Sequence, residues 1–140
     1  MKTDRRTPIE IDKTLFQKMG YELIDKIAEF INTIDKKTVT TSKSNLEISE
    51  LIGNSPLPEN GSTPDELLAR TTDILMENSL LNGHPKFMGY ITSSPTPIGA
   101  LADLLAATIN PNVGAQILSP VATEIEKQTI QWLAEFIGVS

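Results

Sequence analysis

The sequence predicts an all-helical chain, roughly 60% helix against about a third in ordinary globular domains. Three observations predict it. Apolar residues recur at steps of three and four over long stretches, the spacing that lines one face of a helix. Those stretches are bounded by capping residues, prolines and glycines placed where helices start and stop. No segment reads convincingly as a strand.

The first helix is expected from Asp12 to about Asp35. Leu15, Met19, Leu23, Ile27, Phe30, Ile31 and Ile34 form its apolar stripe, and Lys18, Glu22, Asp25, Lys26 and Glu29 fill the other face. Asp12 stands where an N-cap belongs. Thr38 to Ser44 reads as an extended linker. Leu46 to Ile52 suits a short helix stopped by Gly53, and a loop follows with Pro56, Pro58, Gly61 and Pro64. Thr63-Pro64-Asp65-Glu66 predicts a helix start, with Pro64 at the first helical position and Glu66 completing a capping box with Thr63. That helix is expected to fade near Leu81, before Asn82-Gly83.

His84 to Pro97 (HPKFMGYITSSPTP) holds three prolines among aromatic and hydroxyl residues, so it forms neither a regular helix nor a central strand. A loop of this length inside a compact chain is often functional. Ile98 to Ile109 is helical and rich in alanine, which permits close packing, and Asn110-Pro111-Asn112-Val113-Gly114 breaks it. Ser119-Pro120 restarts a helix whose stripe is Val121, Ile125, Thr129, Trp132, Leu133, Phe136 and Ile137, with Trp132 expected to fill a core position and Gly138 at the C′ position.

Composition narrows the chemistry. The 140 residues suit one domain, not a complete two-domain enzyme. A net charge of −6 does not suit binding to a phosphate backbone, so no nucleic-acid partner is expected. The absence of cysteine excludes a disulfide scaffold, a thiolate metal site and a cysteine nucleophile, and the single histidine excludes a His-rich metal site within one chain. No metal ligand set is expected. No stretch approaches the ~20 apolar residues of a membrane span. The N-terminus lacks the apolar run of a secretory signal, so a soluble cytoplasmic protein is the expectation. There is no phosphate-cradling glycine loop. Glu124 and Glu126 are spaced too closely to share a helix face, Ser93 and Ser94 have no nearby base, and His84 is expected to bond a backbone carbonyl.

Three runs together carry more. They are His84-Pro85-Lys86-Phe87-Met88-Gly89-Tyr90, then Ser93-Ser94-Pro95-Thr96-Pro97-Ile98-Gly99-Ala100-Leu101-Ala102-Asp103, then Asn110-Pro111-Asn112-Val113-Gly114 continuing through Ser119-Pro120-Val121-Ala122-Thr123-Glu124-Ile125-Glu126 to Trp132-Leu133. In combination they resemble the pyridoxal-phosphate-dependent amino-acid decarboxylases of the aromatic-amino-acid and glutamate decarboxylase group. The resemblance is densest over residues 82 to 138; the Asp12 helix and the Thr63 helix start are similar but less specific.

The resemblance implies a mainly α chain. It would be the N-terminal helical segment and first helices of a fold type I (aspartate-aminotransferase-like) enzyme, stopping before the α/β large domain. Residues 1–83 would be a helical segment wrapping the other subunit, and residues 84–140 a substrate-pocket loop and helices leading into the cofactor-binding domain. The long Asp12 stripe suits such packing between subunits. The implied cofactor is pyridoxal 5′-phosphate, which serves as an electron sink when CO2 leaves the substrate. Its lysine and its other main contacts would lie beyond residue 140, so no catalytic residue and no cofactor binding is expected of this chain alone. Lys86 does not fall on the cofactor lysine's position. By resemblance Tyr90 and Ser93 line the substrate pocket, and Asn110 and Asn112 fall on a loop that reaches into the partner subunit's substrate pocket. Tyr90 offers a ring face and a hydroxyl, Ser93 a short hydrogen-bonding group for a carboxylate, and the two asparagine amides donors for an acid group. The partners implied are a second identical subunit and a small amino-acid substrate. Tyr90 leans toward an aromatic amino acid, whereas Asn110 and Asn112 suit an acidic one, and some relatives carry out oxidative deamination instead. A free-standing, non-catalytic helical dimerisation or interaction module fits the apolar stripe equally well.

Overall fold

The computed structural model describes residues 10–53 and 55–139. Five α-helices follow in order: α1 (Lys13–Thr33), α2 (Asn45–Ile52), α3 (Pro64–Asn78), α4 (Pro97–Ile109) and α5 (Pro120–Phe136), with a 3-10 turn at Ile34–Lys36 after α1. Among the described residues there is no strand. The chain divides into two compact units, Met1–Ser94 and Pro95–Ser140, so the loop from His84 stays with the first.

In the first unit α1 begins as its sequence dictates. The Asp12 carboxylate accepts the backbone N–H groups of Thr14 and Leu15 at 2.8 and 3.0 Å, satisfying donors that the first turn leaves open. The α1 stripe is then half-buried, and α3 is the helix packed against it. Met19 and Leu23 from α1 meet Leu68, Ala69 and Thr72 from α3 around a shared groove. The stripe expected to serve packing between subunits is thus partly used inside the chain. Phe16, Tyr21 and Ile31 remain exposed. Lys26 Nζ bonds Asp73 Oδ1 across the helix pair at 2.6 Å. Both side chains are largely solvated, so this pair contributes under about 1 kcal/mol, and the apolar seam carries the packing.

α2 starts one residue earlier than its apolar pattern suggests, because Ser44 forms a complete capping box. Glu47 N–H reaches Ser44 Oγ at 3.3 Å, and Ser44 N–H reaches Glu47 Oε2 at 2.7 Å. The capping box expected at Thr63 is incomplete. Its hydroxyl donates to Glu66 Oε2 at 2.6 Å and does not accept from the backbone. Asp65 and Glu66 still place negative charge at the positive end of α3. The helix ends at Asn78, earlier than Leu81, with Ser79 as its C-cap.

The Ser44 backbone N–H and hydroxyl hold the Glu47 carboxyl below the usual carboxylate range. A carboxylate lowered in the folded state stabilises it above the unfolded pKa, and that stabilisation is lost as pH falls through the folded value. The α2 start should therefore fray on acidification. Amide exchange at Ser44 checks this: it should accelerate at low pH in the native chain and be pH-flat, beyond intrinsic exchange, in Glu47→Gln. Unchanged Ser44 protection in acid would contradict it.

In the second unit Thr96 caps α4 by accepting the Gly99 N–H at 3.2 Å. α4 ends at Asn110, whose φ of +48° and ψ of +55° are left-handed, a conformation asparagine tolerates. α5 closes with two bonds past its end, Gly138 N–H to the Glu135 carbonyl at 3.1 Å and Val139 N–H to the Ala134 carbonyl at 2.8 Å. They require a left-handed residue between them, which Gly138 supplies at φ +77°.

The chain buries little. Leu81 is the buried hydrophobic residue among those described, and Trp132, expected in a core, is 59% exposed along with the rest of the α5 stripe. The stripe's spacing is helical as expected, but among the described residues of the second unit nothing buries it.

Candidate functional site

The loop from Leu80 to Ser94 is organised around His84. Leu81 N–H bonds the Val39 carbonyl at 2.8 Å, so the loop's first residues pair with the segment leaving α1. His84 is 3% exposed and uses every hydrogen-bonding atom it has. Its N–H donates to the Leu81 carbonyl and its own carbonyl accepts from Phe87 N–H, both at 2.9 Å. Ring atom Nδ1 accepts the Lys86 N–H at 3.0 Å, which places the ring proton on Nε2, facing the Lys37 carbonyl at 3.0 Å. The backbone-bonded histidine expected from sequence is therefore found, but its partner lies 47 residues away.

Three residues beyond the Phe87 turn, Tyr90 takes φ +59°, the left-handed region. That region costs a non-glycine residue of the L series about 1–2 kcal/mol, and aromatic residues are seldom found there. Strained backbone of this kind clusters at functional sites. The Tyr90 ring lies 6.3 Å from the Phe87 ring, tilted by 34°, and is 85% exposed. Nothing in the sequence announces the strain, since no glycine or asparagine occupies the position. Ser93 follows, exposed, in non-helical backbone.

Asn110 and Asn112 sit in the second unit. Asn110 forms the left-handed end of α4, its N–H bonded to the Ala106 carbonyl at 2.8 Å. Asn112 Oδ1 accepts the Gly114 N–H at 2.9 Å, a side-chain turn that shapes the loop. Both asparagines therefore have a local structural task, and both residues are exposed. Tyr90 and Ser93 share one loop of the first unit, and Asn110 and Asn112 share one loop of the second. The grooves between α1 and α3 are lined by residues of those helices and of the segment following α1, and include none of the four.

Residues 48–140 match the pyridoxal-dependent decarboxylase conserved domain. Among curated relatives, an aromatic-L-amino-acid decarboxylase of Bacillus atrophaeus is 29% identical over 131 residues, 93% of this chain and 27% of that protein. A histidine decarboxylase of Rattus norvegicus is 28% identical over 127 residues, 89% of this chain and 19% of that protein. Among solved structures, that of Oryza sativa TDC with PLP and tryptamine aligns with a TM-score of 0.81 at 18% identity, over 97% of this chain and 28% of that one. The Rhodiola rosea 4-hydroxyphenylacetaldehyde synthase aligns at 0.78 and 19% identity, over 96% and 28%. The chain thus spans about a quarter of the length of the proteins it resembles, and its helices have the fold of the corresponding part of such enzymes. With the domain match covering most of its length, the chain belongs to the pyridoxal-dependent decarboxylase family.

Proposed function

We propose that these residues form the N-terminal part of a pyridoxal-phosphate-dependent decarboxylase that converts an L-amino acid, of the aromatic class, to CO2 and an amine. In this reading the chain supplies contacts to a second, identical subunit and one wall of the substrate pocket. The observation that carries the reading is the domain match over residues 48–140. The exposed α4 and α5 faces support the subunit contacts, since apolar area on this scale marks a surface that another body covers. Tyr90, Ser93, Asn110 and Asn112 are the residues assigned to the substrate, Tyr90 by its ring and the others by polar groups that suit a carboxylate.

The described residues do not fit a cofactor anchor. A lysine that bonds a cofactor covalently needs a desolvated, enclosed site. Lys18, Lys26 and Lys127 pair with carboxylates on helix surfaces, Lys43 bonds Asn78, and Lys37 lies 5.7 Å from the Phe30 ring centre. Lys13, Lys36 and Lys86 are exposed. No chemical step is therefore assigned to a residue of this chain.

The test uses the longer protein that carries these residues, loaded with pyridoxal phosphate and offered tyrosine, DOPA, tryptophan, histidine and glutamate in turn. Release of CO2 with the matching amine from an aromatic substrate is expected. Borohydride treatment of the 140-residue chain with the cofactor should trap no stoichiometric adduct on any one lysine. Failure to release CO2 from every substrate would remove the proposal, and aldehyde in place of amine would move the reaction to oxidative deamination.

A further inference from the structure

His84 does more than fill space. Its Nε2 bond to the Lys37 carbonyl joins the loop to the segment leaving α1, while its Nδ1 bond to Lys86 and its backbone bonds shape the turn within the loop. The next ordered contact along the chain is Phe87 against Tyr90, and Tyr90 holds a backbone conformation its own chemistry disfavours. A strained residue stays strained only where its surroundings over-determine it. The surroundings here are short: Phe87, the turn closed by His84, and the anchor at Lys37.

We propose that His84 is a positioning residue, whose anchor to the Lys37 carbonyl holds Tyr90 in its left-handed pose and so sets how the loop meets a substrate. The claim rests on the functional reading above in assigning Tyr90 to the substrate; the anchoring itself rests on the geometry alone. A side-chain amide can replace either ring nitrogen but not both. Glutamine places an N–H near the position of Nε2 and keeps the anchor. Asparagine places an acceptor near Nδ1, keeps the bond to Lys86 and cannot reach Lys37. The pair of variants therefore separates the anchor from the local turn.

The experiment compares wild type, His84→Gln and His84→Asn in the whole cofactor-loaded protein. It measures KM and kcat for the amino acid turned over and the Tyr90 backbone geometry in crystals of each. His84→Gln should keep KM and a positive φ at Tyr90. His84→Asn should raise KM about tenfold, the worth of one hydrogen bond, with kcat within about twofold, and Tyr90 should leave the left-handed region. A merely structural histidine would lower the fraction of active protein, reducing kcat and leaving KM alone. Unchanged KM and unchanged Tyr90 geometry in His84→Asn would overturn the proposal. So would a His84→Asn protein that does not fold while His84→Gln does, since the anchor would then serve the fold only. If wild type turns over no amino acid, the functional reading fails, and the Tyr90 geometry in the two variants decides the anchor by itself.

Discussion

Expressed by itself, the 140-residue chain should not stay monomeric. On α4, Ile98, Leu101, Leu105 and Ile109 all remain exposed, and on α5 so do Ile125, Trp132, Leu133 and Phe136. A fully buried side chain of this size contributes about 1.5–3 kcal/mol. With these already partly covered, burying all eight yields on the order of 10 kcal/mol per copy. Association costs roughly 4–15 kcal/mol in lost freedom, so two copies burying these faces gain more than they lose. Sedimentation should report dimers or larger species at micromolar concentration. Trp132 is the chain's one tryptophan, so its emission should shift to the blue as the species forms. Leu101→Asp with Leu105→Asp should shift the chain toward monomer while leaving the α1–α3 pair folded. Leu23→Asp is the contrast. Leu23 lines the seam with α3, so charging it should unfold the first unit and leave the second unit's association intact. A wild-type chain that sediments as a compact monomer at high concentration would contradict this account.

In the longer protein that carries these residues, the proposed roles of Tyr90 and Ser93 predict that changes there separate activity from stability. Tyr90→Gly removes the ring and also releases the left-handed backbone, which costs tyrosine about 1–2 kcal/mol and glycine almost nothing. Part of that gain is offset by the greater freedom of glycine in the unfolded chain. The melting temperature should hold or rise slightly. Activity should move the other way: losing a group that positions substrate can cost about 100-fold in kcat/KM with the reacting groups untouched. Ser93→Ala should lower kcat/KM with little change in melting temperature, because Ser93 is exposed and caps no helix. Amine formation and thermal unfolding, measured side by side, check both variants. Turnover unchanged in both, or unfolding as severe as a lost core residue, would make the loop structural and remove both residues from the site.

Helix positions were legible in the sequence because their signals are local. Asp12 and Gly138 act on backbone groups within a few residues of themselves, and the structure uses each as its position suggests. The Ser44–Glu47 capping box was equally available as a serine followed three residues later by a glutamate. The apolar stripes were legible too, but not what covers them. Spacing shows that a face wants burial; it does not say whether another helix packs on it, as α3 does on Leu23, or whether it stays exposed, as Trp132 does. The same limit governs the loop that carries Tyr90 and Ser93. Residue types and their resemblance to a family pointed to the loop. The φ of +59° at Tyr90 and the His84 bond to a carbonyl 47 residues earlier came only with the tertiary structure. A cap is fixed by chemistry within one turn of chain. A strained pose and its anchor are fixed by contacts between distant segments, which exist only once the chain has folded.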